Sequence, residues 1–231
     1  MSGHLYSLND LAKQVGGKLV GDPTTKIHSI STIQNASQGC ISFLSNPKYQ
    51  KYLSQTNASA VIVHPDHEPA LKCPGIIVND PYAAYAEISS LFVSFSNPYE
   101  GMANSFNAHE TSSIHETAII GPNVYIGPNC IIGKGSIIHS NCSLVMNVEI
   151  GDHTIVHANS VLGSDGFGYA SDLNGYLKIE QLGKLLIGKN VEIGAACTID
   201  RGAIDHTEIH DGVKLDNQVH IAHNVILGKN S

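Results

Sequence analysis

The sequence predicts two units of different class: a small α/β domain over residues 1–95 and an all-β parallel solenoid over 113–231, joined by a linker at 96–112. Three observations predict it. In the first unit, short apolar runs bounded by turn residues alternate with helix-like segments, the pattern of a small sheet covered by helices. From Ile114 onward an aliphatic residue recurs at every sixth position, a period that is neither helical nor that of a simple strand. Between the two lies SFSNPYEGMANSFNAHETS, polar, without periodicity and holding Pro98 and Gly101, which reads as connection.

The first unit begins with Ser7 as an N-cap for a short helix, LNDLAKQV, which Gly16 and Gly17 end. IHSISTI alternates apolar and polar residues and reads as a strand, and ISFLS as another. Asn46-Pro47 opens a helix over KYQKYLSQ with the proline at its first position. ASAVIVH and GIIVND suit buried strands, and PYAAYAEISSLFV closes the unit as a helix.

In the second unit the inward phase is Ile114, Ile120, Ile126, Ile132, Ile138, Leu144, Ile150, Val156 and Leu162. Glycine often follows it, as at 121, 127, 133 and 151, and is expected there to tolerate the backbone bend. The phase breaks across GSDGFGYASDLNGYLKIEQLGKLL, resumes at Ile187, slips again over DRGAIDHTE and continues from Ile209. Each hexad is then a straight segment plus a corner. Three of them close a triangular coil, and stacked coils pair their strands in parallel. GSDGFGYA is expected to leave the prism as a loop, with Asp165 as a turn residue; it lacks the phosphate-loop and dinucleotide patterns.

Composition agrees and narrows the function. Only 14% of the 231 residues are charged and there is no Trp, as suits a core one aliphatic file wide. The net charge of −7 argues against a nucleic-acid partner, which needs a basic face. No apolar run approaches the roughly 18 residues of a bilayer span, so no integral membrane segment is expected, nor a secretory leader in MSGHLYSLNDLAKQ. Cys40, Cys73, Cys130, Cys142 and Cys197 are odd in number and form no CxxC. They read as small buried hydrophobes in a reducing, cytoplasmic protein.

Histidine, at 13 residues, equals Lys and Arg together. His139 and His157 are one coil apart and should sit one above the other. His153/His157 and His206/His210 are spaced i, i+4, which brings side chains together on a helix but not on extended backbone, so no metal site is expected. His223 stands apart, in DNQVHIAHN, seven residues after Asp216. A neutral imidazole is well matched to general-base work near pH 7, and a carboxylate on its other nitrogen would fix the tautomer. Contact between Asp216 and His223, around a corner or across a subunit boundary, is compatible with that spacing; so is a plain corner histidine.

ISFLSNPKY, GSDGFGYA, IGAACTIDRGAIDHTEI and DNQVHIAHNVILG, in that order from residue 41 to 228, make the chain resemble the UDP-3-O-(3-hydroxyacyl)glucosamine N-acyltransferases of lipid A biosynthesis, within the hexapeptide-repeat acyltransferase superfamily. The resemblance implies a left-handed parallel β-helix, a homotrimer with active sites between subunits, and a cytoplasmic enzyme of a Gram-negative bacterium. It implies that His223 takes a proton from the 2-amino group of the UDP-acylglucosamine substrate, oriented by Asp216. It also implies acyl carrier protein as partner, bringing the 3-hydroxyacyl thioester on its phosphopantetheine arm, with no cofactor of the enzyme's own. Phe43 and Tyr49 match aromatics that sandwich uracil, and Asn46 a residue that hydrogen-bonds it. Read without the resemblance, Phe43 is strand core and Asn46 caps the following helix.

The family pattern continues past Ser231 with further coils, a helical segment and, near position 241, a glycine whose N–H stabilises the oxyanion. The expectation is therefore a C-terminally truncated member, with reduced catalytic power of its own. Two other readings stand beside it: a zinc-dependent, carbonic anhydrase-like trimeric hydratase on the same scaffold, and a non-catalytic uridine-nucleotide-binding module.

Overall fold

The computed structural model describes residues 5–93, 97–102 and 105–231. Its contacts divide the chain into a unit of residues 1–96 and one of residues 97–231. Residues 96, 103 and 104 of the expected linker, and 94 and 95 just before it, lie outside the described residues.

The first unit is built on a five-stranded sheet in the order Lys18–Val20, Gly75–Ile77, Ala60–Val63, Cys40–Phe43, Ser29–Ile30. The Lys18–Val20 strand is antiparallel to its neighbour and the remaining pairs are parallel. One face packs on Leu8, Leu11 and Ile88, carried by helices α1 (Leu8–Gln14) and α2 (Pro81–Ser90). The other packs on Ile33, Leu44 and Leu53. A sheet covered on both faces has continuously apolar strands, which is why Ala60–Val63 is buried throughout. The Ser7 side chain accepts from the Asp10 N–H at the start of α1, and Asp80 accepts from the N–H groups of Tyr82 and Ala83 at the start of α2. Both satisfy donors that a helix N-terminus leaves open.

Two elements differ from the sequence reading. IHSISTI splits into Lys26–Ile27, paired with Tyr6–Ser7, and Ser29–Ile30 in the main sheet. The chain changes sheets at His28, whose N–H bonds to the Gly39 carbonyl at 2.9 Å. After Asn46 the helix is a 3-10 turn, Pro47–Tyr52, with no buried residue. With no apolar face to bury, so short a segment has little to stabilise an α-helix.

The second unit is a three-sided parallel β-helix. Successive coils pair Ile119 with Ile137, Tyr125 with Ser143 and Ile131 with Glu149, one strand per coil in each of three sheets. It begins earlier than expected. Asn107–Ala108 already pairs with Tyr125–Ile126, through the Asn107 N–H to the Val124 carbonyl at 2.9 Å. The expected boundary at 113, and the linker running to 112, are corrected accordingly. The first phase break is an excursion carrying the antiparallel hairpin Tyr169–Asp172/Gly175–Lys178, after which Ile187 pairs with Ile150. The second is a small loop before Ile209 pairs with Ile187.

Every residue of the inward phase from Ile126 to Leu162 is buried, and Cys130, Cys142 and Cys197 join the same core as free thiols. The corner chemistry corrects the expectation for glycine. The positive φ falls three positions after the inward residue, at Asn123, Asn129, Asn141, Asn147, Asn159 and Asn224, the side chain that tolerates this conformation best after glycine. The glycines directly after the inward residue serve close stacking instead. A Cβ on Gly133 would lie 2.7 Å from the Gly151 carbonyl carbon of the next coil, and one on Gly127 would strike the Val145 carbonyl oxygen. Among the described residues no helix is long and apolar enough to cross a membrane.

Candidate functional site

His223 lies at the corner after the strand His220–Ile221, half-buried, one residue before the positive-φ Asn224. Its Nδ1 is 2.8 Å from Asn224 Oδ1. That same Oδ1 accepts the Ala203 backbone N–H at 3.0 Å, while the Asn224 N–H donates to Thr207 Oγ1 at 2.8 Å. An atom that accepts from a backbone N–H is the amide oxygen and not the nitrogen. His223 Nδ1 must therefore be the donor, and Nε2 carries the lone pair. A base needs that tautomer, with the proton on the far nitrogen and the near one free to accept.

The ring is also walled in. A Cβ on Gly166 would lie 2.5, 2.7 and 2.8 Å from His223 Cδ2, Cβ and Cγ. As it leaves the prism, the excursion thus sets its glycine backbone against the carbon edge of the imidazole and leaves Nε2 uncovered by that contact.

Asp216 does not meet His223 within the chain. It sits beyond the previous corner, separated from His223 by the positive-φ Gln218 and the strand His220–Ile221, and its Oδ1 accepts the Asn217 N–H at 2.7 Å. Among the described residues no ion pair joins Asp216 to His223 within the chain. The reason is geometric: seven residues here span a straight side of the prism, which holds its two corners apart. Within the chain the contact on His223 Nδ1 comes from Asn224.

Phe43, Asn46 and Tyr49 do come together. With Thr32, Gln34 and Tyr82 they line a cleft of about 280 Å³ in the first unit. Asn46 Oδ1 accepts the Lys48 N–H at 3.0 Å, so it caps the 3-10 turn as well as facing the cleft. Phe43 lies at the end of its strand, stacked on Tyr85 at 4.1 Å between centroids and 17° between planes, with Tyr82 at 6.0 Å. One face of Phe43 is therefore covered by Tyr85. A planar guest in the cleft must use the other.

Among the described residues no three His, Cys, Asp or Glu side chains are placed to hold a metal. His139 and His157 stack one above the other as expected, 5.1 Å apart and 4° from parallel. Tyr99 Oη is 2.7 Å from His139 Nδ1, and Glu192 Oε1 is 2.9 Å from His157 Nε2. Burial first, and then the charge of His157, hold His139 below the usual imidazole range. His206 Nδ1 accepts the Lys184 N–H and His210 faces Glu208, so these two side chains turn to different partners.

Comparison with known proteins fits this geometry. Residues 24–91 match the family model UDP-3-O-(3-hydroxymyristoyl) glucosamine N-acyltransferase, LpxD, and residues 102–185 match the GMPPB C-terminal domain. The UDP-3-O-acylglucosamine N-acyltransferase of Coxiella burnetii (strain Dugway 5J108-111) is 43% identical over 247 aligned residues, covering 98% of this chain and 72% of the relative. The enzyme of the same name from Aromatoleum aromaticum is 41% identical over 94% of this chain and 70% of its own. The chain belongs to this family. Among solved structures, Francisella novicida UDP-N-acetylglucosamine acyltransferase matches with a TM-score of 0.49 and 25% identity, over 55% of this chain and 45% of that one.

The chain carries the three-sided parallel β-helix that the family resemblance implied. Five residues around the two sites escape the sequence reading, and Asn224 beside His223 is the first of them. In the sequence Tyr82 and Tyr85 read only as helix, since their partner Phe43 lies far away along the chain. Asp165, expected as a turn residue, pairs with both Arg201 and Lys178. Arg201 is the chain's single arginine, a signal that composition offered and that pointed to no partner.

Proposed function

We propose that the chain transfers a 3-hydroxyacyl group from acyl carrier protein to the 2-amino group of UDP-3-O-acylglucosamine, with His223 as general base. The observation that carries this reading is the fixed tautomer: Asn224 Oδ1, anchored by the Ala203 N–H, leaves the lone pair of His223 on Nε2. The amine nitrogen attacks the thioester carbonyl carbon while Nε2 removes its proton. An ammonium, lacking a lone pair, cannot form that bond. Collapse of the tetrahedral intermediate breaks the C–S bond, and the imidazolium returns the proton to the departing thiolate of the phosphopantetheine arm. That arm belongs to the carrier, so no resident cofactor is needed.

The Phe43, Asn46 and Tyr49 cleft is assigned to the uridine of the same substrate. Its supports are the aromatic lining and the open face of Phe43 opposite Tyr85. Aromatic stacking on a base contributes about 1–3 kcal/mol. A cytoplasmic homotrimer completes the reading. There Asp216 of one copy is assigned to the neighbourhood of His223 in the next, since within a chain the two stand at different corners.

Acyl transfer from 3-hydroxyacyl-acyl carrier protein to UDP-3-O-acylglucosamine tests the proposal. His223→Ala should lower the rate by roughly 100- to 10,000-fold. Equal rates for the parent and the variant would remove His223 as the base.

A further inference from the structure

We propose that Arg201 is a positioning residue for His223, acting through Asp165 and Gly166; this rests on the reading of His223 as base. Arg201 is buried, and it distributes its guanidinium over three acceptors. Nε donates to the Gln181 carbonyl at 2.9 Å, Nη1 donates to the Gly163 carbonyl at 2.8 Å, and Nη2 pairs with Asp165 Oδ1. Gly163 is where the excursion leaves the prism and Gln181 is where it returns, so the guanidinium closes the neck of the loop. The second Asp165 oxygen meets Lys178 Nζ, on the returning strand of the hairpin.

The residue after Asp165 is Gly166, whose backbone stands against Cδ2, Cβ and Cγ of His223. The imidazole is thus held from two sides, by the Asn224 acceptor on Nδ1 and by a glycine wall whose neighbour is pinned to a buried arginine. A hydrogen bond alone allows the ring to swing about its side-chain torsions. The wall removes that freedom, so the ring keeps Nδ1 on Asn224. A planar fork can satisfy three acceptors in different directions at once, which a lysine ammonium on a flexible stem does not reproduce. A purely structural staple would need the neck bonds but not the link from Asp165 to the wall.

The ring 15N shifts of His223, identified by the signals missing from His223→Ala, report its tautomer directly. The parent chain should show the Nδ1–H form. Arg201→Lys and Asp165→Asn should each move the shifts toward the Nε2–H form that free imidazole prefers, with the thermal transition still cooperative. In the acyl-transfer assay both should lower kcat by about tenfold or more while KM for the UDP-sugar stays within twofold. Should Arg201→Lys fail to fold, Asp165→Asn, which retains both carbonyl bonds of the guanidinium, decides the matter. An unchanged His223 tautomer in a folded Asp165→Asn chain would overturn the proposal. Failure of the base assignment is read separately, as a His223→Ala chain that transfers acyl groups at the parent rate.

Discussion

Asn224 does three things at once at the edge of the proposed active site. Its backbone takes the positive φ that turns the corner, its N–H bonds Thr207, and its side-chain oxygen is shared between Ala203 and His223. Proton transfer makes the imidazole cationic, so the Nδ1–H bond to Oδ1 strengthens as the reaction proceeds and counts toward kcat more than toward binding. A hydrogen bond to a charged group is worth about 1.5–3 kcal/mol. Asn224→Ala should therefore lower kcat roughly 10- to 100-fold with KM little changed, as steady-state kinetics on the folded variant would show. Asn224→Gly, which relaxes the corner but also lacks the oxygen, should lose as much activity; recovery in the glycine variant would assign the effect to backbone strain instead. The imidazole itself was legible in the sequence. Its partner was not, because the residue next to a histidine in a strand points away from it, and only the corner turns Oδ1 of Asn224 back onto Nδ1.

At the scale of the coil, two positions share the work that the sequence reading gave to glycine alone. The inward hexad could be read at once, since burial of one aliphatic file repeats with the coil. Which residue bends was hidden, because Gly also recurs for a different reason, the approach of one coil to the next. The two roles separate under substitution. Gly127→Ala must push a methyl into the Val145 carbonyl and should cost about 1–3 kcal/mol or more. Asn129, at φ 56°, should accept Gly with little loss, whereas Asn129→Val should cost about 1–2 kcal/mol or more for the left-handed backbone. Urea denaturation of the three variants checks the order. The same core holds a titrating group. Burial pushes the Cys142 thiol up to about 11 from the ordinary 9.0, against weaker opposition from backbone hydrogen bonds. An unfolded thiol ionises above about 9 while the folded one keeps its proton, so the unfolded state gains and stability falls as pH rises from 9 to 11. The loss attributable to this group is about 2–3 kcal/mol. Parent and Cys142→Ala chains, melted in urea at pH 8 and pH 11, should differ by that much in the pH-induced change, the variant falling less.

Across the whole molecule, the two proposed tasks fall on separate hydrophobic cores, one around Ile41, Ile62 and Ile76 in the first unit and one along the prism. That division predicts a division in the kinetics. The aromatic cleft holds a part of the substrate that does not change during acyl transfer, so its contribution is the same in the ground and transition states and appears in KM. Phe43→Ala removes a stacking surface worth about 1–3 kcal/mol and should raise KM for the UDP-sugar roughly 5- to 150-fold with kcat retained. Tyr85→Ala, which uncovers the far face of Phe43 without entering the cleft lining, should raise KM by less, and Tyr85→Phe should restore it, since the contact is ring on ring. His223→Ala should do the reverse, lowering kcat and sparing nucleotide binding measured by calorimetry with UDP. If Phe43→Ala instead lowers kcat and leaves KM alone, the cleft does not hold the uridine, and the first unit must act on the reaction by another route.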